Sequence, residues 1–221
     1  MGVDRWRESW RVGRTAFHRP EVHEDLVAHH DEVLGAARRI LVPLAGRSLD
    51  LAWLAERGHD VVGVEFVQEV VDAYLAERGL DVLAAPLGPF RAYRAGRLTI
   101  LAGDMLEATP ELVGTFDGAW DRAALVALPP GQRPRYAAVM RRLLGPGARM
   151  LLQTFACARA PDVGPPYAVS EAEVRRLYPD ADIRLLGEPR GGPEGWPAVT
   201  YRLEIVAAAW EVTVADGIGP R

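Results

Sequence analysis

Apolar positions along the chain fall into two patterns, short unbroken runs and helical stripes. Ile40–Leu44 and Val61–Glu65 are apolar runs of the kind expected for strands buried on both faces. Between them, Leu49, Leu51, Trp53 and Leu54 share the apolar side of a helix that Ser48 can cap and Gly58 can close. Upstream, Val22, Leu26, Val27, Val33 and Leu34 form a stripe that predicts a helix from Pro20 to about Ala37, with proline in its first turn. Downstream, Val67–Arg78 predicts a helix stopped at Gly79. Further strands are expected at Arg97–Ala102, Phe116–Asp121 and Ala148–Phe155. A helix is expected over Gly131–Leu144, followed by a Gly145-Pro-Gly147 turn. Residues 80–96 carry Pro86, Gly88, Pro89 and Gly96 and read as a loop or partly ordered insertion. Residues 156–169 form a Pro/Gly-rich loop, after which Ser170 caps a short helix with Glu173 at the capping-box position. Two last strands are expected near Asp182–Gly187 and Thr200–Trp210, and residues 215–221 as a frayed tail.

Strand and helix alternate over residues 40–155, which argues for an α/β fold: a mostly parallel sheet with helices on both faces. The two final strands have no helix between them, so an antiparallel edge is expected. Ligands of such sheets bind outside the carboxyl ends of the strands. That rule selects residues 43–48, 65–67, 102–106, 120–123 and 154–167 for inspection. The 221 residues suit one domain, with residues 1–37 as an N-terminal cover segment and helix.

Composition changes this picture little. Hydrophobic residues at 49% and charged residues at 25% are ordinary for a soluble globular chain. The net charge of −4 offers no field for nucleic acid or an anionic membrane. No apolar run reaches membrane-spanning length. All 26 basic residues are arginine, a bias of codon usage from which no function follows. Cys157 is the only cysteine, which excludes an intrachain disulfide and suits a reducing, cytoplasmic setting. A monomer acting on a small molecule is the expectation.

The candidate chemistry begins at the first turn, Pro43-Leu-Ala-Gly-Arg-Ser48. A dinucleotide site needs G-x-G-x-x-G so that backbone amides cradle a pyrophosphate. This turn has one glycine, Gly46, so the pattern suits an adenosyl cofactor without phosphates, with Gly46 allowing close backbone approach. Glu65 ends the second strand, 19 residues after Gly46, where a carboxylate accepts from both ribose hydroxyls; a solvated strand-end Glu is the plain alternative. Asp104 follows the third strand, placed for the adenine amino group, with Met105 against the ring. Trp120-Asp121-Arg122 ends the fourth strand, where a cofactor tail meets the acceptor. Arg122 can take an anion there, while Asp121 either holds Arg122 or contacts a cationic group. Trp6 and Trp10 lie on one helical face and can cover a pocket, with Phe17-His18 continuing the cover. His18, His23, His29 and His30 show no metal-ligand arrangement and read as polar helix surface. Cys157, with no activating base in sight, reads as inert.

These motifs, taken in order, resemble the thiopurine S-methyltransferase family in its bacterial form. The likeness rests on Trp6-x3-Trp10, Thr15-Ala-Phe-His18, Pro43-Leu-Ala-Gly-Arg-Ser48, Arg57–Glu65, Gly103-Asp104, Phe116–Ala127 and Gly164-Pro-Pro-Tyr167. It implies a Rossmann-like class I methyltransferase fold of seven strands, the last antiparallel, and S-adenosylmethionine as methyl donor. It places cofactor contacts on Trp10, Leu44, Glu65 and Arg122, and puts Met105 beside adenine. It places the acceptor pocket around Phe17, Pro165, Pro166 and Tyr167; Trp6 joins that set as part of the cover. Ala45 and Arg47 stand where the family often has Cys and Lys, and Met105 where an aromatic often follows. The acceptor expected is a thiol or another soft nucleophile, including selenium and tellurium species. Two other classes compete: an NAD-dependent oxidoreductase, against which the first turn argues, and a non-catalytic S-adenosylmethionine-binding module.

Overall fold

A computed structural model describes residues 3–15, 17–156, 164–191 and 197–206. In chain order the elements are α1 (Val3–Arg11), α2 (Glu24–Val33), β1 (Arg39–Pro43), α3 (Asp50–Glu56), β2 (Asp60–Glu65), α4 (Gln68–Glu77), β3 (Leu83–Leu87), β4 (Phe90–Ala95) and β5 (Leu98–Ala102). There follow α5 (Pro110–Val113), β6 (Phe116–Asp121), α6 (Arg133–Leu143), β7 (Leu144–Phe155), α7 (Glu171–Leu177), β8 (Ala181–Leu185), β9 (Arg190–Gly191) and β10 (Pro197–Ile205).

One sheet runs in the order β3-β4-β5-β2-β1-β6-β7-β10-β8, with β9 paired to β10. The strands from β5 through β7 are parallel, and β10 enters antiparallel between β7 and β8. These seven strands, β5-β2-β1-β6-β7-β10-β8, are the expected α/β sheet. Side chains of β1 alternate across it. Leu41 packs with Tyr136 and Met140 of α6, whereas Ile40 and Val42 pack with Leu26 of α2 and with Leu51 and Leu54 of α3. Covered on both faces, β1 must be apolar at every central position, and each such side chain contributes about 1.5–3 kcal/mol on burial.

The structure corrects several sequence expectations. Residues 80–96 are not a loop: β3 and β4 form an antiparallel hairpin that extends the sheet beyond β5. Its turn is Gly88-Pro89, with Gly88 at φ 55. Pro86 sits in β3, at the sheet's edge, where a missing N–H costs no ladder bond. Phe90, Ala92 and Tyr93 anchor the hairpin in the core. The Gly145-Pro-Gly147 turn is absorbed into the irregular opening of β7, beside a register shift between Phe116 and Gly118. The first long helix begins at Glu24 rather than Pro20, with the His23 side chain accepting from the Asp25 N–H as its cap. Ser48 accepts from the Asp50 N–H, while the capping residue of α3 is Leu49. Ser170 caps α7 as expected, accepting from the Glu173 N–H. His23 and His30 are buried, at 3% and 6% exposure, and are not polar surface. His30 meets His59 through their Nε2 atoms at 2.8 Å. Cys157, residues 207–210 of the last expected strand and the 215–221 tail lie outside the described residues. Among the described residues no helix is long and apolar enough to cross a membrane.

Candidate functional site

The sheet order reverses between β1 and β6, since the chain leaves β1 toward β2 on one side and β6 lies on the other. Such a switch point opens a crevice at the carboxyl ends of the strands. A cavity of about 640 Å³ lies there, walled by the turns after β1, β2, β5 and β6 and roofed by α1. That volume suits a small organic ligand.

The β1 turn is held in a costly backbone conformation. Leu44 has φ 48 and Gly46 φ 57. The left-handed region costs a residue bearing a Cβ roughly 1–2 kcal/mol, so surrounding bonds must impose it. The Ala45 N–H donates to the Val64 carbonyl at 2.9 Å. Glu65 does the rest: its Oε2 accepts from the Gly46 N–H at 2.9 Å and its Oε1 from the Val67 N–H at 2.8 Å. One carboxylate thus ties the end of β2 to the β1 turn and to the start of α4. It is 7% exposed and lines the cavity. Burial pushes its pKa up, and the backbone hydrogen bonds pull against that shift. Each carboxylate oxygen retains capacity for a further donor. Asp104 caps the turn after β5, accepting from the Leu106 N–H at 2.9 Å, and lines the cavity beside the buried Met105.

The roof is aromatic. Trp6 and Trp10 project from one face of α1, and both stand edge-on to Phe17, at 5.6 and 5.2 Å between ring centroids. A Cβ added to Gly46 would come within 3.2 Å of the Trp10 ring, so glycine is what lets the indole lie on the turn. The helix is fastened on two sides: Arg7 pairs with Glu69 of α4 at 2.8 Å, and Arg5 donates to the Gly164 carbonyl at 3.2 Å. Pro165 and Pro166 line the cavity, but Tyr167 does not. Its ring is buried near the Arg133 guanidinium, and its N–H donates to the Val126 carbonyl.

At the end of β6 the neighbours Asp121 and Arg122 part company. Asp121 is fully buried, accepting from the Leu125 N–H at 3.1 Å and the Tyr136 hydroxyl at 2.8 Å. It neither holds Arg122 nor reaches the cavity, because successive strand residues point to opposite sides. Ala123, at φ 62, completes the turn that Asp121 pins. Arg122 turns into the cavity. Its Nη1 donates to the Phe17 carbonyl, its buried Nε–H has no acceptor, and it has no carboxylate partner among the described residues. Burial lowers its pKa to about 10, which leaves it charged at neutral pH. Among the lining residues that the sequence reading did not place at the site are His23 and Asp50. A buried acid in the first turn of the helix after Gly46 was the available signal for Asp50.

Burial raises the Asp121 pKa from 3.8 to about 6. The folded state therefore binds more protons than the unfolded state between those values, and stability falls as pH rises through that window. Relative to Asp121→Asn, the parent chain is expected to lose about 2 kcal/mol between pH 4 and pH 7. Urea denaturation at the two pH values measures this difference, and parallel pH profiles would contradict it.

The model of the family described as Thiopurine S-methyltransferase (TPMT) matches residues 1–189. Thiopurine S-methyltransferase of Methylococcus capsulatus is 40% identical over 200 residues, covering 89% of this chain and 90% of the relative. That of Bordetella petrii is 40% identical over 179 residues, covering 80% and 82%. The chain belongs to the thiopurine S-methyltransferase family. As a member it is an S-adenosylmethionine-dependent S-methyltransferase, and neither competing class is favoured. The fold agrees. A crystal structure of the Burkholderia thailandensis 1,6-didemethyltoxoflavin-N1-methyltransferase, with 1,6-didemethyltoxoflavin and S-adenosylhomocysteine bound, superposes with a TM-score of 0.65 at 22% identity, covering 92% of this chain and 87% of that one. Within the family's site the residues present fit S-adenosylmethionine. The turn lacks pyrophosphate glycines, the cavity volume suits an adenosyl ligand, and a buried guanidinium N–H is left without a partner.

Proposed function

We propose that this methyltransferase transfers the methyl group to a small thiol or another soft, anionic nucleophile. The observation that carries this reading is Arg122, a half-buried cation facing the cavity beneath the aromatic roof. Bound S-adenosylmethionine supplies an electrophilic methyl group. The chain supplies alignment and a dry compartment. In this reading Glu65 accepts from the ribose hydroxyls, Asp104 and Met105 flank the adenine, and Leu44 and Gly46 pass close to the methionine part. Trp10 covers the cofactor. Trp6, Phe17, Pro165 and Pro166 border the acceptor, and Tyr167 supports that wall from behind. Arg122 favours negative charge where the cofactor tail meets the acceptor. A thiolate is nucleophilic without a dedicated base. The docking of α1 through Arg7 and Arg5 supports its role as a cover that closes over the ligand. The reading includes a monomer in the cytoplasm, which the lone Cys157 suits.

The test is an acceptor screen with labelled S-adenosylmethionine, comparing a thiopurine, simple thiols, sulfide, selenite, tellurite and iodide with alcohols and amines. Methyl transfer confined to the soft nucleophiles is expected. Transfer to oxygen or nitrogen acceptors alone, or to none of the panel, would overturn the acceptor reading.

A further inference from the structure

Two opposite charges lie in the cavity wall without meeting. Asp50, 3% exposed, opens α3. Its Oδ1 accepts from the His23 backbone N–H at 2.9 Å and its Oδ2 from the Trp120 indole N–H at 2.8 Å. Both donors are neutral, so neither brings a countercharge to the carboxylate. It forms no ion pair among the described residues. Arg122 feels that charge, which raises its pKa against the larger effect of burial. Opposite charges in one poorly solvated wall would gain by closing into a salt bridge. They do not close because each is tied elsewhere: Asp50 to the start of α2 and to β6, Arg122 to the Phe17 carbonyl. A buried anion and a half-buried cation held apart are complementary to a zwitterion rather than to a simple anion.

The other two acids at the strand ends are differently employed. Glu65 is bonded to Gly46 and Val67 at the end of β2, and Asp104 to Leu106 beyond β5. Asp50 is bonded to Trp120 of β6, two residues before Arg122, whose Nε–H has no acceptor.

We infer that Asp50 binds the α-ammonium group of the cofactor's methionine end, while the field of Arg122 serves the carboxylate of the same amino acid. This rests on S-adenosylmethionine being the cofactor and adds the residue that recognises its amino group. It also gives a reason for the buried Trp120 and His23: both hold the Asp50 carboxylate in place without neutralising it.

Calorimetry on the parent chain and on Asp50→Asn tests this with four ligands. These are S-adenosylhomocysteine, its analogue lacking the α-amino group, its analogue lacking the α-carboxylate, and 5′-methylthioadenosine, which lacks the amino acid altogether. A charge-assisted hydrogen bond lost should weaken S-adenosylhomocysteine and the decarboxylated analogue about 10–100-fold in Asp50→Asn. The deaminated analogue and methylthioadenosine should bind both proteins equally. Equal loss for all four ligands, or no loss for any, overturns the inference. Should Asp50→Asn fail to fold, the parent chain decides: an analogue lacking the amino group that binds as tightly as S-adenosylhomocysteine also overturns it. If the parent binds neither S-adenosylhomocysteine nor methylthioadenosine, the cofactor assignment itself fails, which is a distinguishable result.

Discussion

Glu65→Ala is expected to raise the S-adenosylhomocysteine dissociation constant at least about 100-fold and to lower the unfolding free energy by about 2–4 kcal/mol. The two effects have separate causes. In the proposed site two ribose hydroxyls lose a charged acceptor, each bond being worth about 1.5–3 kcal/mol. Independently, the Gly46 and Val67 N–H groups lose their acceptor, and the left-handed Leu44–Gly46 turn loses one of the bonds that impose it. Glu65→Gln should fall between, because its amide can satisfy one backbone donor but not both. The pH dependence has a definite sign. Hydroxyl donors favour the ionised carboxylate, so affinity is present above the Glu65 pKa and is lost as pH falls through it. Burial raises that pKa, so the loss begins at higher pH than an ordinary glutamate would show. Calorimetry and denaturant titration separate the two quantities. An affinity within about threefold of the parent would remove Glu65 from the ribose site, since a single lost hydrogen bond of this kind already exceeds that.

Arg122→Ala is expected to lower kcat/KM for an anionic acceptor about 100–1000-fold, the usual size of effect when one preorganised charged donor is removed. Stability should stay within about 1 kcal/mol of the parent. Arg122 has no carboxylate partner among the described residues, and removing it relieves the burial that lowers its pKa to about 10. Loss of activity without loss of fold therefore marks a ligand-directed charge. Arg122→Lys should recover only part of the rate, because an ammonium cannot reproduce the planar guanidinium edge. Turnover and both ligand constants unchanged in Arg122→Ala would show that the cation serves neither ligand.

The strands that position this site were legible in the sequence because their signal is local. Ile40–Val42 and Val61–Val64 had to be apolar on both faces, and Phe116–Asp121 was bounded as expected. The hairpin over residues 83–95 was not legible. Its prolines and glycines are also what an edge strand and a tight turn require, and only pairing with β5 distinguishes those uses from a loop. The histidines failed for a related reason. A polar residue on a helix reads as surface until a buried partner is known, and the long-range ring partners of His30 and His23, His59 and Gln153, lie 29 and 130 residues away.

The sequence by itself determined the seven strands at the centre of the sheet and placed Glu65 and Arg122 at strand ends, and its motifs, taken in order, carry the resemblance to the family. The strands and their ends follow from periodicity, turn chemistry and residue type, all of which act over a few positions. Only the tertiary structure decided what each of those side chains faces. It turned Asp121 into the core and Arg122 into the cavity, spent Glu65 on two backbone amides, set Tyr167 behind the wall rather than in it, and left Asp50 and Arg122 charged but apart. Hydrogen-bond partners and burial are long-range properties: they depend on which distant segments the fold brings within about 3 Å.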